Sequence, residues 1–226
     1  MLERLELLIG NKINILQDKT ILLIGLGGVG GYTFESLLRS GIGKIIIVDN
    51  DKFDKTNLNR QILATINTIN KYKVDTAEER KNEINPNCQI KKIKEFITEK
   101  NTDIIFKERI DFVIDAIDTV KTKEEIIKYC LKNKIKFISI MGTGGKMDAS
   151  KLKITKLDKT SYDPIAKKLR TRMKKENIKG KIPVISSTEQ AKITSPIGSN
   201  AFVPAVAGLL ATSYAINEIL KEKRNG

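Results

Sequence analysis

Four residues between positions 49 and 118 are candidates for handling phosphate groups. Asp49 ends the apolar run KIIIVD, where a carboxylate can bind ribose hydroxyls. Arg60, in NLNRQ, and Lys73, in KYKVD, can neutralise an α-phosphate under attack. Asp118 ends DFVIDAID, and a carboxylate beside phosphates suggests Mg²⁺. Together these residues predict chemistry on a nucleotide, although Arg60 and Lys73 can also be surface charges and Asp118 a helix cap.

A glycine-rich turn precedes these residues. In ILLIGLGGVGG an apolar run ends at a cluster of glycines, and a helical pattern follows. Such a strand, turn and helix N-terminus hold phosphates with backbone N–H groups, and this signal serves NAD and ATP equally. An Asn and an Arg just past the ribose carboxylate, in DNDKFDKTNLNRQ, have no evident use in a redox domain. The combination therefore favours ATP.

Strands alternate with helices along the chain, which predicts a Rossmann-like α/β fold with a doubly wound, mainly parallel sheet flanked by helices. KIIIVD and IKFISIM fit buried strands, and KYKVDTAEERKNEI fits an amphipathic helix. One or two short helices are expected before the first strand. After Gly145 the pattern changes: KLKITKL is typical of a strand with an exposed face, and AFVPAVAGLLATSYAINEIL predicts an apolar helix that packs on the sheet or on a partner subunit.

The simplest prediction for domain organisation is a single domain over residues 1–226. It comprises a nucleotide-binding half (1–145), a crossover segment with a basic helix (146–200) and a C-terminal helix (201–226). No uninterrupted apolar run reaches the roughly 18 residues of a membrane helix. The charged N-terminal residues are unlike a signal peptide. We therefore expect a soluble cytoplasmic protein without a membrane partner.

The chain has no histidine and only two cysteines, Cys88 and Cys130. A Cys/His zinc site needs more ligands than these, so no zinc is expected. Ser-His and Cys-His nucleophile arrangements are excluded as well. Both cysteines are predicted to be buried packing residues, and the chemistry must then depend on Asp, Glu, Lys, Arg and bound metal.

The net charge of +14 favours polyanionic partners such as RNA or DNA. The densest cluster is KKLRTRMKKENIKGK, residues 167–181, in which eight of fifteen residues are basic. Asp163-Pro164 is a typical start for a helix here. This helix can contact nucleic acid or simply be a solvated surface helix. The candidate contacts are Lys167, Lys168, Arg170, Arg172, Lys174 and Lys175.

Several motifs resemble the adenylating domain shared by ubiquitin-activating enzymes and their bacterial relatives that adenylate sulfur-carrier proteins. The motifs are GLGGVGG, VDNDKFDKTNLNRQ, KYKVDTAEERKNEINP, VIDAIDT and GSNAFVPAVAGLLATSYAI. The resemblance implies a metal ligand at Asp118 and catalytic roles for Arg60, Lys73 and Asp118. The implied nucleotide-binding residues are Gly25, Gly27, Gly28, Asp49, Asn57, Arg60, Lys73 and Arg4. Arg4 would reach the ATP of a partner subunit, which requires a homodimer.

Two departures narrow this resemblance, because the paired CxxC zinc motifs are absent and the crossover segment contains no cysteine. That segment, with MGTGGKMDASKLKITKLDKTSYDPIAKKLRTRMKK and IPVISSTEQ, is similar to the branch formed by bacterial tRNA threonylcarbamoyladenosine dehydratases. The similarity implies that ATP activates the carboxylate of the threonylcarbamoyl group beside the anticodon, and that the group then closes into a ring with loss of water. It also implies ATP, Mg²⁺ and the modified tRNA as cofactors and partners.

Several alternatives stay open at this point. A monovalent cation and an accessory protein of the sulfur-carrier or cysteine-desulfurase type are possible additions. The chain can instead be an adenylyltransferase acting on the C-terminus of a ubiquitin-like sulfur carrier. A non-catalytic nucleotide-sensing or RNA-binding module and an NAD-dependent redox enzyme are the remaining interpretations.

Overall fold

The computed structural model describes residues 1–192 and 194–221. The end of the predicted C-terminal helix, residues 222–226, lies outside the described residues. Within them, seven strands form one sheet in the order β3-β2-β1-β4-β5-β7-β6. The strands are β1 (Thr20–Ile24), β2 (Lys44–Val48), β3 (Gln89–Ile93), β4 (Phe112–Asp115), β5 (Lys136–Ile140), β6 (Leu152–Lys156) and β7 (Pro183–Ser187).

The helices connect and cover these strands. They are α1 (Glu3–Ile9), α2 (Ile13–Gln17), α3 (Gly28–Arg39), α4 (Lys73–Ile84), α5 (Val120–Lys132), α6 (Pro164–Lys175) and α7 (Phe202–Leu220). All neighbouring strands pair in parallel except β6 and β7, which are antiparallel. The predicted doubly wound, mainly parallel fold is therefore confirmed. The strand β7, which joins β5 to the edge strand β6, was not predicted from the sequence.

The sheet separates two hydrophobic cores because successive side chains of a strand point to opposite faces. Ile21 and Leu23 of β1 lie in the core beneath α3 and α7, whereas Leu22 and Ile24 lie in the core beneath α5 and α6. All four side chains are almost completely buried. This two-sided burial explains why β1 reads as a continuous apolar run.

The C-terminal helix α7 packs against α3 and the sheet, which was one of the two predicted locations. Its small residues allow close approach, and a Cβ on Gly208 would lie 2.4 Å from the carbonyl oxygen of Val29. Ser36 and Thr212 share a hydrogen bond of 2.6 Å across the same interface. By length and composition α7 could cross a membrane, but half of its apolar window is buried in the fold. It is a core helix of this domain.

Candidate nucleotide site

A cavity of ≈ 580 Å³ opens at the carboxyl ends of β1, β2, β4 and β5. This volume is within the usual range for small-ligand sites. The strand order reverses between β1 and β4, and ligands of open α/β sheets bind at such a reversal. Among the sequence-predicted residues, those lining the cavity are Gly25, Gly27, Gly28, Asp49, Arg60, Lys73 and Asp118.

The glycine turn forms the floor of this cavity. Gly25 has a φ of 92°, a value that side chains other than glycine rarely adopt. Gly27 is the N-cap of α3 and has no side chain to bond the first-turn N–H groups. A Cβ on Gly27 would meet no heavy atom within 4 Å, so open space lies in front of the helix N-terminus. This arrangement suits an anion such as a phosphate.

Asp49 and Lys73 lie together beside the glycine turn. The Asp49 carboxylate accepts hydrogen bonds from the backbone N–H groups of Leu26 at 2.7 Å and Asp51 at 2.8 Å. Nζ of Lys73 lies 2.8 Å from Asp51 Oδ2 and 3.7 Å from Asp49 Oδ2. Burial raises the pKa of Asp49, although Lys73 and the two N–H groups act in the opposite direction. A buried cation thus lies next to the position expected for a ribose carboxylate.

Arg60 reaches the cavity from the loop before α4. Its Nη1 donates to the Thr56 carbonyl oxygen at 2.6 Å and to Asn59 Oδ1 at 3.0 Å. Its Nε and Nη2 bond to no other described residue, so they can meet a ligand. Asn57 does not line the cavity; its Oδ1 accepts from the Asp54 N–H at 3.2 Å and closes a capping box. In this structure Asn57 therefore shapes the loop that carries Arg60.

Asp118 follows β4 and projects an exposed carboxylate into the cavity. It forms no hydrogen bond or ion pair with any other described residue. The next helix, α5, begins at Val120 with Thr119 as its N-cap and without a side-chain cap bond. Asp118 is therefore not the cap of this helix, and its oxygens stay available for a ligand or a cation. No group of three or more potential metal-ligating carboxylates, cysteines or histidines exists among the described residues.

A comparison with known protein families identifies the family to which the chain belongs. The model of the ThiF family matches residues 4–225, nearly the whole chain. The chain belongs to the ThiF family. The family resemblance seen in the sequence motifs is thereby confirmed.

ThiF-family relatives with similar sequences include the tRNA threonylcarbamoyladenosine dehydratase of Bacillus subtilis, which is 40% identical over 97% of this chain and 94% of the relative. The Escherichia coli tRNA N6-threonylcarbamoyladenosine dehydratase, solved with ATP, is 36% identical with a TM-score of 0.92 and covers 98% of this chain and 94% of its own. The sulfur carrier protein ThiS adenylyltransferase of Escherichia coli is 33% identical over 58% of this chain and 53% of the relative.

A buried polar network that the sequence analysis missed supports the ThiF-family loop carrying Asp118. Lys123, Asp115 and Ser139 have no exposed surface. Asp115 Oδ2 lies 3.0 Å from Lys123 Nζ and accepts the Ser139 hydroxyl at 2.6 Å, while its Oδ1 accepts from the Ile117 N–H at 3.3 Å. The sequence signal for this network was Lys123, a lysine on the otherwise apolar face of α5. The network fixes the backbone immediately before Asp118.

Arg4, the predicted residue for a partner's nucleotide, is exposed on α1 and does not line this chain's cavity. The same helix exposes Leu7 and Leu8 by 83% and 80%. No residue of α1 is fully buried, although Leu5 and Ile9 pack partly buried against the core. The position of Arg4 is compatible with a role toward a second copy.

The cations of α6 fall into two groups. Arg170 Nη1 donates to the Thr160 carbonyl oxygen at 3.1 Å, and Arg172 Nε donates to the fully buried carboxylate of Glu124. These two arginines hold α6 against neighbouring segments. The exposed lysines of the helix are Lys167, Lys168, Lys174 and Lys175.

Both cysteines are buried, as predicted. Burial raises the pKa of the Cys88 thiol to about 11 and also raises that of Cys130. A thiolate is the reactive form of cysteine, so neither side chain is a nucleophile near neutral pH. The chemistry of this ThiF-family site must come from its lysines, arginines and carboxylates and from what they bind.

Proposed function

We propose that this chain is an ATP-dependent dehydratase of threonylcarbamoyladenosine in tRNA. The observation that carries the proposal is the extent of its similarity to enzymes of that name. The match to the ATP-bound enzyme of Escherichia coli covers 98% of the chain and therefore includes the crossover segment and α6. The match to the ThiS adenylyltransferase covers 58%. The crossover segment is where the two functions would differ.

Different residues of the cavity would bind the phosphates and the ribose of ATP. The N-terminus of α3 would hold the phosphates over Gly27 and Gly28, and Asp49 would bind the ribose with the lone pairs that its backbone contacts leave free. Lys73 and Arg60 would neutralise charge that develops at the α-phosphate. Because Lys73 is buried and held by carboxylates, it is already oriented before the nucleotide binds.

Asp118 fits the requirements of a magnesium ligand. Mg²⁺ is usually held by one or two carboxylates together with phosphate oxygens. Asp118 offers one such carboxylate, free of other described contacts, beside the proposed phosphate position. When bound, the cation would neutralise charge on the ATP phosphates.

The reaction needs no protein nucleophile. A carboxylate oxygen of the threonylcarbamoyl group attacks the α-phosphorus of ATP, and pyrophosphate leaves. A nucleophilic atom of the same group then attacks the activated carboxyl carbon, loses its proton and expels AMP. The nucleoside thereby loses the elements of one water. Connectivity of the two reacting groups supplies the effective concentration, which fits a site without a reactive cysteine or histidine.

The exposed lysines of α6 would bind the phosphates of tRNA. Changing Lys167, Lys168, Lys174 and Lys175 to Glu is expected to weaken tRNA binding at least 100-fold, since several phosphate contacts become repulsive. ATP binding should be unchanged because none of the four lysines lines the cavity. Fluorescence anisotropy with labelled tRNA and calorimetric titration with ATP measure the two effects.

A matched control changes Lys100, Lys107, Lys132 and Lys134, which are also exposed but lie outside α6, to Glu. The net charge falls equally, so a general electrostatic effect would weaken tRNA binding in both variants. Equal loss in the two variants would contradict a specific role for α6.

The proposed enzyme acts as a homodimer in the cytoplasm, where its tRNA substrate is located. Arg4 would then reach the nucleotide of the second copy. We include two additional components in this proposal. One is a monovalent cation in the site, and the other is an accessory protein of the sulfur-carrier or cysteine-desulfurase type.

A comparison of substrates tests the proposed dehydratase against the alternative, a sulfur-carrier adenylyltransferase. With ATP and Mg²⁺, AMP formation should require tRNA that carries threonylcarbamoyladenosine and should be absent with unmodified tRNA. AMP or pyrophosphate release that responds to a sulfur carrier ending in Gly-Gly, and not to RNA, would instead identify a carrier adenylyltransferase.

A further inference from the structure

A buried lysine–aspartate pair forms the wall of the cavity on the side of the crossover segment. Lys146 and Asp163 both line the cavity, yet they are only 2% and 3% exposed. Lys146 Nζ lies 3.0 Å from Asp163 Oδ2 and donates to the Gly142 carbonyl oxygen at 2.6 Å. Buried ion pairs are costly to desolvate, so such a pair is weak evidence of a stabilising role alone. Neither residue belongs to the nucleotide-binding set described above.

The pair is held from several sides. Asp163 is the N-cap of α6, and its Oδ1 accepts from the Ala166 N–H at 2.9 Å. The backbone carbonyl oxygen of Lys146 accepts from Asn200 Nδ2 at 2.7 Å. Lys146 is therefore fixed through its backbone by the segment before α7 and through its side chain by the first turn of α6. Its ammonium group occupies one defined position in the cavity wall.

This position is at the opposite end of the cavity from Lys73. Lys73 begins α4, after β2, whereas Lys146 follows β5. Two strands, β1 and β4, lie between β2 and β5, which corresponds to a distance of about 14 Å across the sheet. The Lys73 end contains Asp49 and the glycine turn and would hold ATP. The Lys146 end is left for the group that ATP activates.

We propose that Lys146 binds the carboxylate of the threonylcarbamoyl group and that Asp163 positions Lys146 for this contact; the inference rests on the proposed function. The substrate carboxylate must approach the ATP phosphates, and a buried cation offsets the repulsion between these anions. An ammonium group has three N–H donors, and the described contacts of Lys146 use two of them. No described residue accepts a hydrogen bond from the third N–H, and we assign it to a substrate oxygen.

The test compares two anticodon stem-loop RNAs that differ only in this carboxylate. One carries threonylcarbamoyladenosine, and the other carries its carboxamide, which has nearly the same shape without the charge. In the presence of a non-hydrolysable ATP analogue, the protein should bind the carboxylate form about tenfold more tightly. Lys146→Met should abolish this preference while ATP binding stays unchanged. Lys192→Met is the matched control, because Lys192 also lines the cavity but is exposed, and it should keep the preference.

Two further variants separate binding from folding. If Lys146→Met does not fold, Lys146→Gln decides, since its amide can still donate to Gly142 and Asp163. Asp163→Asn keeps an N-cap residue on α6 but removes the negative charge that orients Lys146. Loss of the charge is expected to lower the melting temperature, because it leaves the buried Lys146 ammonium unpaired. At a temperature at which Asp163→Asn is fully folded, its preference for the carboxylate RNA should be reduced while ATP binding is kept.

Each outcome distinguishes this inference from the proposed function. Preference for the carboxylate RNA that persists in Lys146→Met or Lys146→Gln overturns the inference. A protein that dehydrates the modified tRNA but never prefers the carboxylate over the carboxamide also overturns it, and the proposed function stands. A protein that neither binds nor dehydrates the modified RNA contradicts the proposed function itself.

Discussion

Replacing Arg60 with alanine is expected to lower tRNA-dependent AMP formation by about 100- to 1000-fold, the usual effect of removing one preorganised charge from a transition state. Arg60 lines the cavity, and the described hydrogen bonds of its guanidinium are within its own loop. The fold should therefore be retained. Rates from rapid-quench experiments with saturating ATP, together with circular dichroism, measure both expectations.

Arg109→Ala is the matched control for Arg60→Ala. The Arg109 side chain is 89% exposed and lies before β4, at the opposite edge of the sheet from the cavity. Arg109→Ala should keep normal turnover.

Asp118→Ala should lose turnover like Arg60→Ala, because the Asp118 carboxylate is the proposed magnesium ligand. Full activity in Arg60→Ala or Asp118→Ala would mean that the site has been placed incorrectly.

Replacing Lys123 with methionine is expected to lower the free energy of unfolding by about 3–5 kcal/mol, because the buried Asp115 carboxylate loses its cation. For a chain of this size the melting temperature should fall by on the order of 10 °C. Thermal and urea unfolding, followed by circular dichroism, measure the change. Since the same network fixes the loop before Asp118, ATP turnover should fall as well, even below the melting temperature.

Lys121→Met provides the comparison on the same helix. Its side chain is 62% exposed and forms a 3.7 Å ion pair with Glu99, so its loss should change stability by less than about 1 kcal/mol. The double variant Lys123→Met/Asp115→Leu should recover part of the stability lost in Lys123→Met, because it removes the unpaired charge. If Lys123→Met is as stable as Lys121→Met, the network does not support the fold.

Local sequence patterns predicted most of the fold, because the burial of a strand and the start of a helix depend mainly on neighbouring residues in the chain. Short apolar runs identified β1, β2 and β5, and the glycine turn located the N-terminus of α3. The strand β7 was missed, although all five of its residues are buried. It begins at Pro183, directly after the basic segment, and pairs with β6 and β5, which are distant in the chain. Such pairing has no local signature.

The candidate site was predicted only in part, for the same reason. Asp49 and Asp118 could be found because they follow apolar strands, and parallel strands bring their carboxyl ends to one edge. The pairs Asp115–Lys123 and Lys146–Asp163 depend on where side chains meet in three dimensions. The density of charge on α6 was visible in the sequence, but the engagement of Arg172 by buried Glu124 was not.

The most direct measurement of the central claim is mass spectrometry of the nucleoside product. The protein is mixed with ATP, Mg²⁺ and tRNA that carries threonylcarbamoyladenosine, and the tRNA is then digested to nucleosides. The proposed function predicts that the modified nucleoside loses the mass of one water only when ATP is present, and that this loss is about 100- to 1000-fold slower with Arg60→Ala. An unchanged nucleoside mass after prolonged incubation with the folded, ATP-binding protein would contradict the account.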